Sequence, residues 1–164
     1  MKKRNWLTAM SALSAATLLA LAGCATTPTP VSITDSVART PQLATLSKLI
    51  HDAGLDDTLR GPGPFTVFAP TDEAFKAVPA KTLTELAANK DLLVAVLTFH
   101  VLPGRLLSTE VKNGPTKTVN GANLALYKSG DFLTVEDAVV QQADLPASNG
   151  VIHLVDRVLM PPKK

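Results

Sequence analysis

The chain predicts a single α+β domain, on three observations. Helix signals crowd between residues 40 and 97, strand signals take over from Lys117, and at Pro70 a buried strand passes directly into a helix. No internal repeat interrupts this order.

At the N-terminus, Lys2, Lys3 and Arg4 precede an apolar stretch from Trp6 to Leu21 that Thr8, Ser11, Ser14 and Thr17 interrupt, the layout of a secretory signal peptide over residues 1–23. It is short for a membrane span, which needs about 20 apolar residues. The stretch ends in Leu21-Ala22-Gly23-Cys24, which resembles a bacterial lipoprotein processing box, and Cys24 is the only cysteine of the chain. Small residues at positions 22 and 23 let a peptidase reach the backbone, and the thiol is the group to which diacylglycerol is attached. A lone cysteine makes no intramolecular disulfide, and a buried thiol fits poorly beside a Thr/Pro-rich tail. Each buried methylene adds about 0.8 kcal/mol, so two or three acyl chains give permanent membrane attachment. Residues 24–32 then form the lipidated Cys24 and a Thr/Pro-rich spacer reaching roughly 25 Å. By the same resemblance, Ala25 beside the cysteine implies sorting to an outer membrane, facing periplasm or cell surface.

Cleavage before Cys24 leaves 141 of the 164 residues, enough for one domain at 33–162. It also takes the 16 basic residues to 13 against 14 acidic ones, so the formal charge of +2 becomes −1. A near-neutral domain without a basic run excludes nucleic acid as partner and offers no charge-driven membrane binding.

Within the domain, Thr40 as cap and Pro41 at the first helical position open the longest helix, whose Leu43, Leu46, Ile50 and Ala53 share a stripe; Gly54 closes it and Leu55 packs back. Gly61-Pro62-Gly63-Pro64 is a rigid turn, since its prolines lack the N–H groups a phosphate loop needs. Phe65, Val67 and Ala69 alternate with Thr66 and Phe68 as a short buried strand that Pro70 stops. Thr71 caps the next helix, Asp72 and Glu73 sit at its positive end, and Phe75 returns to the core. Thr82 and Glu85 form a capping box for a second short helix, and Asn89 caps a third carrying Leu92, Leu93, Val96 and Leu97. From Lys117 onward, Asn120-Gly121 and Ser129-Gly130-Asp131 are turns between strands holding Leu124 and Leu126, Phe132 to Val135, and Ala138 to Val140. Asn149-Gly150 suits a tight turn with positive φ and leads into a Val/Ile/Leu-rich strand pair ended by Pro161-Pro162. There Val151, His153 and Val155 share one face and Ile152 and Leu154 the other, as in a strand buried on both sides.

Three segments carry a resemblance. Gly63 to Phe75 (Gly-Pro-Phe-Thr-Val-Phe-Ala-Pro-Thr-Asp-Glu-Ala-Phe) and Asn149 to Pro161 (Asn-Gly-Val-Ile-His-Leu-Val-Asp-Arg-Val-Leu-Met-Pro) resemble the two signature blocks of the fasciclin domain. Phe99-His100-Val101-Leu102-Pro103-Gly104 is similar to the family's Tyr-His-Val-Val-Pro-Gly segment. The resemblance spans nearly all of the domain and implies a wedge of two packed sheets flanked by several short helices, in an extracytoplasmic adhesion and binding module. In animal matrix members adhesion is attributed to the Tyr-His segment and to an Asp-Ile pair before the second block. The matching positions are Phe99, His100, Asp144 and Leu145, with Phe99 lacking the phenol hydroxyl and Leu145 replacing a β-branched residue. Asp144 also reads as a cap for the loop before Asn149. Asn89-Lys90-Asp91-Leu92-Leu93 imitates an adhesion motif of the family but lies in the wrong place, so its role is not carried over.

Reactive chemistry is weakly represented. His51, His100 and His153 are the only histidines, no two of them at ligand spacing, and imidazoles in apolar strands commonly bond core carbonyls or carboxylates. The expectation is therefore no metal, no cofactor and no catalytic set, and no Gly-x-Ser-x-Gly elbow is present. The sequence thus implies a non-enzymatic lipoprotein of the cell envelope that adheres to or binds a protein, matrix or glycan partner. An alternative is carriage of a small apolar ligand, lipid or pigment.

Overall fold

A computed structural model of the chain describes residues 31–162; the signal peptide, Cys24 and all but the last two residues of the spacer lie outside them. Three helices open the domain: α1 (Ile33–Arg39), then a 3-10 turn (Pro41–Leu43) running into α2 (Ala44–Ala53), and α3 (Asp56–Arg60). Strand β1 (Phe65–Pro70) follows, then α4 (Asp72–Lys76), α5 (Ala80–Ala88), α6 (Lys90–Phe99) and the short β2 (Val101–Pro103). The rest is β: β3 (Gly114–Lys117), β4 (Asn123–Ser129), β5 (Phe132–Val135), β6 (Ala138–Ala147) and β7 (Gly150–Val155).

The expected two sheets are two wings of one seven-stranded ladder in the order β2-β1-β7-β6-β5-β4-β3. Strand β6 belongs to both: Ala138 and Val139 pair with β5, whereas Val140 to Ala147 pair with β7 through two register shifts. Extra residues at such bulges bend a strand and raise its twist, which folds one wing over the other. Signature strand β7 lies centrally, parallel to β1 and antiparallel to β6, and all six of its residues are buried.

Alternation along β1 and β7 divides the interior in two. Val67, Ala69, Ile152 and Leu154 face the helices, where they meet Ile33, Leu43, Leu46 and Ile50. Phe68 and Val155 face into the wedge, against Phe99, Leu102, Leu124, Leu126, Leu133 and Val135. The space between the wings is filled by these side chains.

Local signals hold where the partner is near in sequence. Thr71 accepts from the Ala74 N–H and Asn89 from the Leu92 N–H, both as N-caps. Gly54 takes φ 72° and the Leu55 N–H reaches the Ile50 carbonyl, closing α2 as expected. Elsewhere tertiary contacts prevail. Thr40 does not cap; its hydroxyl bonds the Ser36 carbonyl, and the start of α2 is capped from across the domain by Asp72, which accepts from the Thr45 N–H at 2.8 Å. The Thr82/Glu85 box lies inside α5, which begins two residues earlier after Pro79. Helices α1 and α3 were not expected, and β6 runs seven residues past Val140.

The second block also differs. Only one strand forms, and after Val155 the chain continues as a tail held by the Asp156 N–H on the Val139 carbonyl, by the Asp156 carboxylate on the Val139 N–H and by His100 on the Leu159 N–H. Gly150 is absent from the positive-φ glycines. It is required because a Cβ there would collide with the Phe65 carbonyl of the neighbouring strand. Asn149 closes the two-residue turn from β6 to β7 without a positive φ and is also a junction: its Oδ1 accepts from the Ile33 N–H, and its Nδ2 donates to the Leu59 and Gly61 carbonyls.

Candidate functional site

Thr66, His100 and His153 of the motif segments converge on the wedge side of the central strands, and each bonds backbone. His100 ends α6 inside the wedge, 2% exposed. Its Nδ1 lies 2.8 Å from the Val96 carbonyl, which can only accept, so Nδ1 carries the proton and Nε2 accepts from the Leu159 N–H at 3.0 Å. His153 has the opposite tautomer. Its Nδ1 accepts from the Asp144 N–H at 3.2 Å, and its Nε2–H donates to the Leu106 carbonyl at 2.9 Å. Phe68 of the first block stacks on that imidazole with centroids 5.4 Å apart, and its N–H donates to the His100 carbonyl.

The result is a reciprocal clasp. The histidine of the Phe99–Gly104 segment holds the tail of the second signature block, and the histidine of that block holds the loop following Gly104. Neighbouring strands complete the grip on this loop. Thr66 on β1 donates to the Gly104 carbonyl and accepts from the Leu106 N–H, both at 2.8 Å. Asp144 on β6 accepts from the Ser108 N–H at 2.8 Å and from its hydroxyl at 2.5 Å, while Lys128 Nζ donates to the Ser108 carbonyl at 2.7 Å. Three adjacent strands, β1, β7 and β6, thus each give one polar side chain to alternate residues of one loop.

Electrostatics follow from burial. Desolvation pushes His100 down to about 4, against the opposing bond to the Val96 carbonyl. It lowers His153 too, against the opposing Leu106 carbonyl and Asp144 charge. Burial alone would raise Asp144, but the Ser108 hydroxyl and N–H, with Lys128, hold its carboxyl below the usual value. Both imidazoles are therefore neutral and fully bonded. Although Ser108, Asp144 and His153 are close, no ring nitrogen meets the Ser108 hydroxyl, so they do not form a base–nucleophile relay. Among the described residues no group of three or more His, Cys, Asp and Glu side chains has metal-binding geometry.

Of the four positions named from sequence, Phe99 is 1% exposed and His100 is enclosed beside it. Leu145 packs partly against the helix-side core, and Asp144, at φ 60° in the β6 bulge, fixes the Ser108 loop rather than the loop before Asn149. All four are thus turned to the fold. A depression of about 570 Å³ lies elsewhere, between α4, α5 and the tail, lined by Ala74, Val78, Pro79, Val158 and Met160 with Asp137, Asp156 and Arg157 at its edge.

The family model for the Fasciclin domain matches residues 41–161, which contain all three motif segments and the whole clasp. The chain belongs to the fasciclin domain family. The chain is 38% identical over 156 residues to Protein sll1483 of Synechocystis, covering 94% of this chain and 87% of the relative. It is 36% identical over 135 residues to the Cell surface glycolipoprotein MPB83 of Mycobacterium bovis, covering 79% of this chain and 60% of that protein. Among solved structures, the FAS1 domain pair of the insect cell adhesion molecule Fasciclin I superposes with a TM-score of 0.61 at 16% identity, over 79% of this chain and 51% of that one. That likeness establishes the wedge fold.

Thr66, Ser108, Lys128 and Asn149 carry much of the clasp and its surroundings, and sequence reasoning gave none of them this part. No spacing rule joins residues 36 to 47 positions apart, as in the Ser108–Asp144 and Leu106–His153 bonds.

Proposed function

We propose that the chain is a lipid-anchored envelope protein whose fasciclin domain acts without catalysis, adhering to or binding a partner through its outer surface. The observation that carries this reading is the clasp: the two motif imidazoles and the Asp144 carboxylate spend their hydrogen-bonding capacity on backbone and on the Ser108 hydroxyl, which builds a scaffold and leaves surface as the working part. Cys24 as the acylated residue is consistent with it, as is likeness to a relative named a cell surface glycolipoprotein. So is the fold shared with an insect cell adhesion molecule.

The domain's entry point orients it on such an anchor. The Ser148 N–H donates to the Val31 carbonyl, so the spacer arrives at the Gly150 end of β7. The depression near Asp156 and Met160 lies at the opposite end of that strand. Two altered forms of the gene test the proposal. Removing residues 33–162 while keeping the anchor should abolish attachment or partner capture by cells, and Cys24→Ala should release the protein from membranes into the soluble fraction. Undiminished attachment after domain removal would defeat the adhesive reading; retention of the Cys24 variant in membranes would defeat the anchor.

A second reading, carriage of a small apolar molecule, has the largely apolar floor of the 570 Å³ depression in its favour. Native mass spectrometry of protein purified from its host distinguishes it by a stoichiometric adduct.

A further inference from the structure

The outer face of the β3–β4–β5–β6 wing is carbon-rich and nearly free of charge. Tyr127 is 54% exposed and Phe132 75%, and they are the only exposed aromatic side chains among the described residues. Their neighbours Leu126 and Leu133 point inward, so both rings project from one side. Strand register sets Tyr127 beside Thr134 and Ser129 beside Phe132, making the rings diagonal neighbours with Cα atoms roughly 7–8 Å apart. Val139, also exposed, extends the row across Thr134.

Ionised groups are turned away from this face or lie at its ends. Lys128 alternates to the other side, where its Nζ bonds the Ser108 carbonyl, and Glu136 is held by the Ala125 N–H. Asp131 leads the β4–β5 turn at the tip. Patches of exposed apolar rings signal an interaction, and the surroundings decide with what. A charged partner finds no ionised group to pair with among the Tyr127, Ser129, Phe132, Thr134 and Val139 side chains. Insertion into a bilayer would drive the Asp131 carboxylate into the interface first, at a desolvation cost. A neutral ligand with flat C–H faces and peripheral hydroxyls meets neither objection. Its rings stack on Tyr127 and Phe132; beside them the Ser129 hydroxyl can donate or accept, and the Thr134 hydroxyl, which donates to the Tyr127 carbonyl, can accept.

We propose that this face is the binding surface of the domain and that it takes an uncharged polysaccharide, two successive sugar rings stacking on Tyr127 and Phe132. This deepens the adhesive reading and rests on it.

Tyr127 is the only tyrosine of the chain, so a ¹³C-tyrosine-labelled full-length protein in detergent gives one ring signal. Titration with neutral hexasaccharides of β-linked glucose, N-acetylglucosamine or α-linked glucose should shift that signal saturably for at least one, and Phe132→Ala should weaken the binding about tenfold without unfolding. Shifts with phosphatidylcholine vesicles but none with the sugars would overturn the proposal in favour of a lipid surface. A shift that depends only on protein concentration would overturn it in favour of self-association. Loss of cell attachment on domain removal, with attachment unchanged in Tyr127→Ala and Phe132→Ala, would overturn the glycan face while leaving the adhesive function standing.

Discussion

The helix-side core and the wedge-side core share strands β1 and β7 yet are held together in different ways. On the helix side, Leu43, Leu46, Ile50, Val67, Ala69, Ile152 and Leu154 meet through carbon alone. On the wedge side, Phe68, Leu124 and Val135 pack around two neutral imidazoles whose bonds reach across 59 residues in one case and 47 in the other. Apolar packing responds to volume and is indifferent to pH, whereas a clasp made of neutral histidines is sensitive to protons. One sheet therefore carries a pH-insensitive face and an acid-sensitive one.

The largest expected effects come from truncating each core. Phe68→Ala should cost about 3–5 kcal/mol and Leu46→Ala about 2–5 kcal/mol in denaturant unfolding at neutral pH. What separates the regions is pH: the Leu46→Ala penalty should be the same at pH 7.5 and pH 5. A penalty that changes steeply with pH would erase the distinction.

Acid comes next. His100, and His153 in the same direction, are held below the ordinary histidine value, so the unfolded chain binds more protons as pH falls. The His100 contribution is complete above about 6.5 and is lost progressively toward about 4, and His153 adds a loss of the same sign as pH falls below the ordinary histidine value. For His100 this amounts to ~3 kcal/mol over that window, read as a falling unfolding midpoint. His100→Leu should flatten this slope while lowering stability at pH 7, because it leaves the Leu159 N–H and Val96 carbonyl without their partner.

Asp144→Ala should cost less, about 1–3 kcal/mol, by stranding the Ser108 N–H and hydroxyl. Asp144→Asn should cost less again, since asparagine tolerates the φ of 60° and keeps an acceptor. Hydrogen exchange should localise the Asp144→Ala effect to the loop from Gly104 to Ser108. A change spread evenly over the helix side would contradict the division.

The two regions also differ in how much of them the sequence discloses. The stripe on α2, its Gly54 stop, the Thr71 cap and the inward and outward alternation of β7 are written in neighbouring residues and are found as expected. Capping by Asp72 at Thr45, the bulges that bend β6 and the crowding at Gly150 depend on what the fold brings alongside, so local rules misplaced the first and third and did not reach the second. The same limit applied at the site. His100 and His153 were visible as core imidazoles, but their partners Leu159, Asp144 and Leu106 are ordinary backbone groups that no residue type betrays.

The central claim is that both motif histidines are neutral structural braces with opposite tautomers. Long-range ¹H–¹⁵N NMR of the imidazole nitrogens in the full-length protein, followed from pH 7.5 to pH 5, tests it most directly. The structure predicts a protonated Nδ1 on His100, a protonated Nε2 on His153, His100 nitrogen shifts that stay in the neutral range at pH 6, and titration of both rings below the ordinary histidine value. Either ring titrating freely near 6.5, or rapid exchange between its tautomers, would contradict the account, because a histidine released from backbone is free to do chemistry.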